Sequence, residues 1–328
     1  MFIVMGVYFF SLMFRIFSDY FTFQLLGLQS GTELSSSVQF FVQDFLKILF
    51  LIFLVVSLIA FLRTYLPTDK LRRFMKRSRF GLGNFAAATF GALTPFCSCS
   101  SIPIFIGFLE AEIPLGIAFS FLITSPLVNE VAFVIMGDLF GWELAFLYAV
   151  SGIFLGVMGG WILGSFKMDK EIILGNGGKI FDRKFPGTFE GKVRFSVKEG
   201  FKTMKKLVPY VFLGVMVGAL IHGYVPEGFF EFFLGKYGWL SVIAAVVLGV
   251  PIYAGCSTIV PVIFSISASG VPLGTALAFM MSIAGLSLPE AIILKRVMSF
   301  KLLATFFGLV ALGIIIIGYL FNLVSFPL

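Results

Sequence analysis

Nine apolar runs divide the chain, near residues 2–27, 38–62, 80–109, 113–137, 141–165, 204–224, 238–268, 271–291 and 302–325. Most approach the roughly 20 residues that an α-helix needs to cross the hydrocarbon core of a bilayer. Lipid offers no hydrogen bonds to the backbone, so only helices and closed barrels cross it, and runs of this length select helices. Of 328 residues, 59% are apolar and only 12% charged, against about 25% charged in an ordinary soluble domain. A cytosolic enzyme, a secreted disulfide scaffold and a disordered chain are thereby excluded. The first run is the weakest, because Arg15, Asp19 and Gln24 interrupt it; residues 1–30 are expected to form an apolar helix that either spans or lies in the interface. The opening MFIVMGVYFF lacks a basic n-region and a small-residue cleavage site, and is expected to be retained.

Charge orients these spans. Lys and Arg number 24 against 17 Asp and Glu, giving +7 with the single His222 neutral. Most of the basic residues lie in two islands. The first holds Arg63, Lys70, Arg72, Arg73, Lys76, Arg77 and Arg79 against one acid, Asp69. The second runs from Lys167 to Lys206 and contains the flexible stretch Gly175-Asn176-Gly177-Gly178. Short basic loops stay in the cytoplasm, so loops 63–79 and 166–206 are expected there, and nucleic acid is not a partner. Three apolar runs separate the islands, and three full crossings would put them on opposite sides. One run must return to the side it entered. Thr94-Pro95 and Ser98–Ser101 break the run 80–109 midway, making it the re-entrant one. Non-helical backbone at membrane depth is tolerated only where protein or a cavity satisfies it, so a polar-lined site is expected around residues 94–103.

A shift of 158 residues brings two stretches into register without gaps. Gly91 falls on Gly249, Pro103 on Pro261, Pro114 on Pro272, Leu115-Gly116 on Leu273-Gly274, and Ala118 and Phe121 on Ala276 and Phe279. Prolines and glycines carry the match, so what recurs is the pattern of backbone breaks. Following the charges through each crossing, the first hairpin begins in the cytoplasm and the second, 238–268, begins outside. The expected fold is an all-α polytopic membrane protein of two inverted-topology repeats, each with a re-entrant or broken helical hairpin meeting near the membrane midplane. Such an arrangement belongs to secondary transporters. The expected organisation is a first transport repeat at 38–165, a basic cytoplasmic linker at 166–203 and a second transport repeat at 204–325, in a prokaryotic inner (plasma) membrane.

All three cysteines fall in the repeated stretches: Cys256 maps on Ser98, midway between Cys97 and Cys99. Three cysteines are too few for a disulfide framework. Membrane cysteines often only pack as small hydrophobes, but the mirrored placement points to thiols from both hairpins facing one site. Sulfur there suits soft metals and metalloids, and thiols also donate weak hydrogen bonds to a sulfur anion. Thr94, Ser98, Ser100, Ser101, Ser257 and Thr258 supply hydroxyls around them. Helix N-termini near Pro95, Pro103, Pro251 and Pro261 are expected to aim free N–H groups at the same place. The next crossing carries Thr124-Ser125-Pro126, where Ser before Pro signals a helix start and so a break in the span, then Asn129 and Glu130; an acid in an apolar run is a coupling candidate. Its counterpart Ser287-Leu288-Pro289-Glu290 has the spacing of a capping box, which gives Glu290 a structural role. Gly152, Gly156, Gly160 and Gly164 form a close-packing stripe, as do Gly214 and Gly218, for which contacts within the chain or a dimer both account.

Enzyme chemistry finds little support. H-E-x-x-H is absent, one histidine limits any His-based site, and Gly175–Lys179 lacks the P-loop pattern. No cofactor and no certain metal site are expected. The run Pro95-Phe-Cys97-Ser-Cys99-Ser-Ser-Ile-Pro103, with Ile113-Pro114-Leu-Gly116 and Ser125-Pro126-Leu-Val-Asn129-Glu130, resembles the ArsP/YraQ-type predicted permease family. Pro251-Ile-Tyr253-Ala-Gly-Cys256, Pro261 and Pro272-Leu-Gly274 are similar to its second half, and the likeness covers roughly residues 38–325. Some members export trivalent organic arsenicals. The resemblance implies a permease for a small thiophilic solute, with efflux of trivalent (organo)arsenicals or a related soft metal or metalloid foremost. Uptake of a sulfur oxyanion such as thiosulfate is one alternative, and a membrane scaffold that moves nothing is another. The expected partners are the bilayer and a small-molecule or metalloid substrate, with a homo-oligomer left open.

Overall fold

A computed structural model describes residues 13–30, 32–64, 81–94, 98–110, 113–166, 168–173, 188–224, 238–252, 256–268 and 270–324. Among them the chain is helical, apart from one isolated antiparallel bridge between Ile172 and Met298. The residues 13–25 form a short N-terminal helix that ends in a π turn, Tyr20–Leu25. Ser18 ties it to the Gln39 carbonyl at 2.6 Å, and Gln39 in turn donates to Asp19. Thus Asp19, one of the residues that interrupt the first apolar run, faces a neighbouring helix together with Ser18.

Six helices follow: α1 Glu33–Arg63, α2 Leu82–Ala92, α3 Ser98–Glu110, α4 Leu115–Leu127, α5 Glu130–Phe140 and α6 Trp142–Ser165. Six more follow among the described residues: α7 Phe189–Tyr224, α8 Ser241–Gly249, α9 Cys256–Ala268, α10 Leu273–Gly285, α11 Leu288–Leu294 and α12 Phe300–Leu323. The bounds of α3 and α9, α4 and α10, and α6 and α12 coincide under the shift of 158 residues, and α5 and α11 start in register. Local chemistry explains the agreement. Pro114 and Pro272 both sit before a helix with nearly the same dihedrals, φ −51° ψ 134° and φ −54° ψ 134°. Each carbonyl then accepts the first helical N–H groups, from Ile117 at 2.9 Å and from Thr275 at 2.9 Å. A proline in this place loses nothing, because its missing N–H would have had no helical partner.

The middle of the molecule is built on α4 and α10. Every residue of α4 is buried, as is α10 from Gly274 onward. Around α4 pack α2, α3 and α6; around α10 pack α8, α9 and α12; and α4 and α10 touch each other. Phe119 of α4 stacks on Phe306 of α12 at 5.3 Å and meets Phe105 of α3 at 5.1 Å. Glycines set the closest approaches: a Cβ on Gly116 would lie 2.7 Å from the Gly160 carbonyl, and one on Gly274 would strike the Gly318 carbonyl. Gly152 faces Val128, Gly156 faces Thr124 and Gly164 faces Gly116, so the glycine stripe of α6 packs along α4 within the chain.

Among the described residues three helical stretches are long and apolar enough to cross a membrane: Trp142–Ser165, Leu273–Leu294 and Phe300–Leu323. A fourth is the pair Leu115–Leu127 and Ala132–Phe140, bent by 47°. Leu273–Leu294 is 82% buried, against 39% and 33% for the outer two, so the α10–α11 span is interior. Phe146, Phe154, Leu312, Ile316 and Leu320 are exposed on α6 and α12, as befits helices bordering lipid. The chain is an all-α, multi-span membrane protein.

Two expectations change. The linker boundary at 203 falls inside α7, which runs unbroken from Phe189 to Tyr224 with Pro209 within it. At 36 residues, α7 is about 54 Å long. Its first half is basic yet helical, because Lys, Glu and Arg favour helix without needing an apolar run. Phe61 meets Phe189 and Phe41 meets Phe212, at 5.9 and 5.2 Å, so α7 lies antiparallel along α1. Likewise Pro126, expected to begin a helix after Ser125, lies in the last turn of α4. The bend follows it, at Val128-Asn129, where the Tyr148 hydroxyl donates to the Leu127 carbonyl at 2.9 Å.

Candidate substrate site at the two helix breaks

The two breaks are built alike. α2 ends at Ala92 and α3 starts at Ser98; α8 ends at Gly249 and α9 starts at Cys256. In each case a glycine near the end of the first helix lies against a central helix. A Cβ on Gly91 would stand 3.0 Å from the Phe121 carbonyl, and one on Gly249 would stand 3.2 Å from the Phe279 carbonyl. Only glycine allows that approach without displacement, which is why these glycines recur 158 residues apart.

The helix starts differ from expectation. Pro103 and Pro261 do not stand at N-termini but inside α3 and α9, five residues after each helix begins. The physical effect is on carbonyls. A proline has no N–H, so the carbonyl four residues earlier loses its helical partner. Those carbonyls belong to Cys99 and Ser257, in the first turns of α3 and α9. Each break therefore presents first-turn N–H groups together with one freed carbonyl. Pro251 is exposed just beyond α8, and Pro261 is exposed on α9.

Other expected residues are placed as follows. Pro95 and Cys97 lie outside the described residues. Ser98, Cys99 and Ser100 form the first turn of α3, and Cys256, Ser257 and Thr258 that of α9; their side chains, and that of Pro103, also lie outside. Thr94 donates to the Phe90 carbonyl at 2.8 Å and contacts the Gly91 carbonyl at 3.1 Å, closing the end of α2. Asn129 Oδ1 accepts from the Ala132 N–H at 3.4 Å, at the start of α5. Glu130 is exposed in the first turn of α5.

The interior holds polar contacts that sequence reasoning placed only loosely. Ser101 and Ser125 are fully buried and meet at 2.7 Å, joining α3 to α4. Asn84 donates to Ser120 at 2.9 Å, joining α2 to α4. In the other half Ser282 donates to the Val246 carbonyl at 2.7 Å and Ser241 meets Thr275 at 2.9 Å, joining α8 to α10. The capping box is not formed. Ser287 precedes α11, but its side chain caps nothing, and neither it nor the buried Glu290 carboxylate has a hydrogen-bond partner among the described residues. The spacing S-x-x-E was visible, but spacing alone does not say whether the acid folds back on the helix or points into the protein. α11 is nevertheless attached to the second break, since the Leu288 N–H donates to the Val250 carbonyl at 3.0 Å.

The halves cross over at these elements. α11 packs against α3, and α5 packs against α9, where Phe140 meets Phe264 at 5.1 Å. The short helix after each bend thus lies on the helix that begins at the opposite half's break. Among the described residues no group of three or more His, Cys, Asp or Glu comes together to hold a metal.

Helices broken in mid-course and packed around buried central spans define a polytopic membrane protein built to pass a solute. The chain belongs to the predicted permease family ArsP_1, whose family model matches residues 33–323, from the start of α1 to the end of α12. It is similar to UPF0718 protein MJ0584 of Methanocaldococcus jannaschii, with 22% identity over 296 residues, 73% of this chain and 81% of the relative. It is also similar to UPF0718 protein YraQ of Escherichia coli, with 24% identity over 278 residues, 80% of this chain and 74% of the relative. UPF0718 protein YcgR of Bacillus subtilis is 23% identical over 172 residues, 52% of this chain and 58% of that protein. No solved structure matches the chain. A multi-span helical protein with archaeal and bacterial relatives belongs to the inner, plasma membrane of a prokaryote, since outer membranes are crossed by barrels.

Proposed function

We propose that the protein is a secondary permease of two inverted halves that carries a small thiophilic solute, with outward movement of trivalent arsenicals foremost. The observation that carries this is the recurrence, 158 residues apart, of a broken helix whose second part begins at a cysteine-bearing turn. Inversion is supported by direction. α1 runs antiparallel to α7, and the pairs Gly159–Leu309 and Gly313–Leu155 set α6 antiparallel to α12. Equivalent helices of opposite direction are what a two-fold axis in the membrane plane produces.

The chemistry asked of Cys97, Cys99 and Cys256 is reversible ligand exchange. A trivalent organoarsenical with two hydroxyl ligands gives up both as water when two thiols, each losing its proton, bond to arsenic. No electron is transferred, and water reverses the step. A third thiol on the other half lets arsenic pass from one sulfur pair to another. Ser98, Ser100, Ser257 and Thr258, in the same turns, replace lost water; Thr94 closes the helix before the first break, and Pro251 follows the helix before the second. Asn129 and Glu130 stand at the bend between α4 and α5, where an acid can exchange protons as the bend moves.

The test is transport by the full chain. Proteoliposomes are loaded with phenylarsine oxide, and its exit is followed for wild type and for Cys97→Ala, Cys99→Ala and Cys256→Ala. The expected result is a loss of flux in each variant, with restored arsenical sensitivity in an exporter-deficient host. Unchanged flux in all three removes the thiols from the mechanism. Labelled thiosulfate in the same vesicles tests the sulfur oxyanion alternative.

A further inference from the structure

We infer that Glu290 is an occluded proton-binding site of the permease, where a proton rests while the surrounding helices rearrange. This rests on the transport function proposed above and adds to the exposed acid at the bend, Glu130, an interior proton site needed for coupling. Glu290 is 1% exposed, and both carboxylate oxygens lack a hydrogen-bond partner among the described residues. Ser287, one turn earlier and also 1% exposed, has a hydroxyl equally without a partner. An ionised carboxylate buried without a counter-charge is among the most costly groups in a protein, more so within a membrane. Such a side chain persists only if something cancels its charge, and the smallest ligand that does so is a proton.

Position points the same way. The Leu288 N–H is bonded to Val250 at the second break, and the same short helix packs on α3, which begins at the first break. Glu290 therefore belongs to an element held by both breaks. A movement of either one alters its surroundings. The register counterpart of Glu290 in the first half is Ala132, buried and apolar, so the molecule carries this acid on one side only.

The charged and titratable groups near α11 are few. On α11 itself none occurs besides Glu290, and exposed Lys295 and Arg296 follow its end. α10, which leads into it, has none. α3 brings Cys99 and Glu110, whose side chains lie outside the described residues. α7 brings Lys202 and Lys205, both exposed, with Glu199 half-buried. Glu190, Lys192, Arg194 and Lys198 precede these on α7, and Lys206, Tyr210, His222 and Tyr224 follow with side chains outside the described residues. Among the described residues none of these basic groups makes a salt bridge to Glu290, whose oxygens both stay without a partner.

Two measurements on the full chain in lipid test the site. Infrared difference spectroscopy across a pH titration, in water and heavy water, reads the carbonyl stretch of a protonated carboxylic acid. Wild type is expected to show such a band, absent from Glu290→Gln, present in Glu130→Gln, and shifted in Glu290→Asp. A band unchanged in Glu290→Gln overturns the assignment, as does one abolished by sodium at constant pH, which would make the ligand a metal cation. In proteoliposomes holding phenylarsine oxide, a gradient of one pH unit sustains about a tenfold accumulation at one proton per solute. Glu290→Gln is expected to keep solute exchange at zero gradient while its accumulation ratio falls to about one. Full accumulation by this variant overturns the proposal. Should wild type move no phenylarsine oxide, the substrate assignment fails, and the infrared band alone still decides whether Glu290 binds a proton.

Discussion

The hydroxyls of Ser101 and Ser125 meet at 2.7 Å in the buried contact between α3 and α4. Their register counterparts, Ile259 and Ile283, are both buried, one on α9 and one on α10, and those two helices also pack together. One half thus fastens the helix after its break by a hydrogen bond, and the other by apolar packing. A hydrogen bond has direction and apolar contact does not, so the first contact specifies orientation more tightly.

Removing that bond should cost stability. Ser101→Ala and Ser125→Ala are each expected to destabilise the protein by about 1 kcal/mol. The double variant should fall short of the sum, with a coupling of at least about 0.5 kcal/mol. Thermal unfolding in detergent, followed by tryptophan fluorescence, measures all three.

Close glycine crossings make a sharper prediction. Gly116→Ala and Gly274→Ala push a methyl group into the carbonyls of Gly160 and Gly318, and each should cost about 1–3 kcal/mol. Gly308→Ala is the control: nothing lies within 4 Å of its added methyl, and it sits in α12. There the change should be neutral or should stabilise by up to about 1 kcal/mol. The same unfolding assay separates them.

The Tyr148 hydroxyl closes the last turn of α4 by its bond to the Leu127 carbonyl. Tyr148→Phe should lower stability by about 1 kcal/mol. Because the bond lies at the bend, a change in the transport rate of phenylarsine oxide is expected with it. A shift in melting temperature with unaltered flux would confine Tyr148 to a structural role.

Topology can be checked without any substrate. The bonds from Ile173 N–H to the Val297 carbonyl, 2.8 Å, and from Ser299 N–H to the Glu171 carbonyl, 2.7 Å, put residues 171–173 and 297–299 at one end of the molecule. Labelling of single cysteines placed at Lys170 and Lys301, in a background lacking the native three, should occur only from the cytoplasm. Cysteines at Gly141 and Gly270 should react from outside. The opposite pattern for either pair contradicts the inverted arrangement.

Backbone features were the most legible part of the chain. Pro114, Pro272, Gly91 and Gly249 act on their own local geometry, so their spacing showed a repeated pattern of backbone breaks, while the helix starts and close crossings they set came from the structure. Helix on a charged stretch was less legible: residues 189–203 carry too many lysines to look like a span, although lysine does not oppose helix. Least legible was side-chain direction. The spacing from Ser287 to Glu290 suits a cap, and only the packing of α11 against α3 and α7 turns the acid inward. The same limit applies to Cys97, Cys99 and Cys256, whose symmetry along the chain is plain while the direction of their thiols is a matter of tertiary packing.

The short ladder between residues 171–173 and 297–299 has a mechanical consequence. It joins the exit of α6 to the entrance of α12 by two main-chain bonds, like a pin through two straps. Rocking of one half on the other would find least freedom at that end and most at the far one. An access path there must part the remaining helices around the pin, or break two hydrogen bonds that water can readily replace.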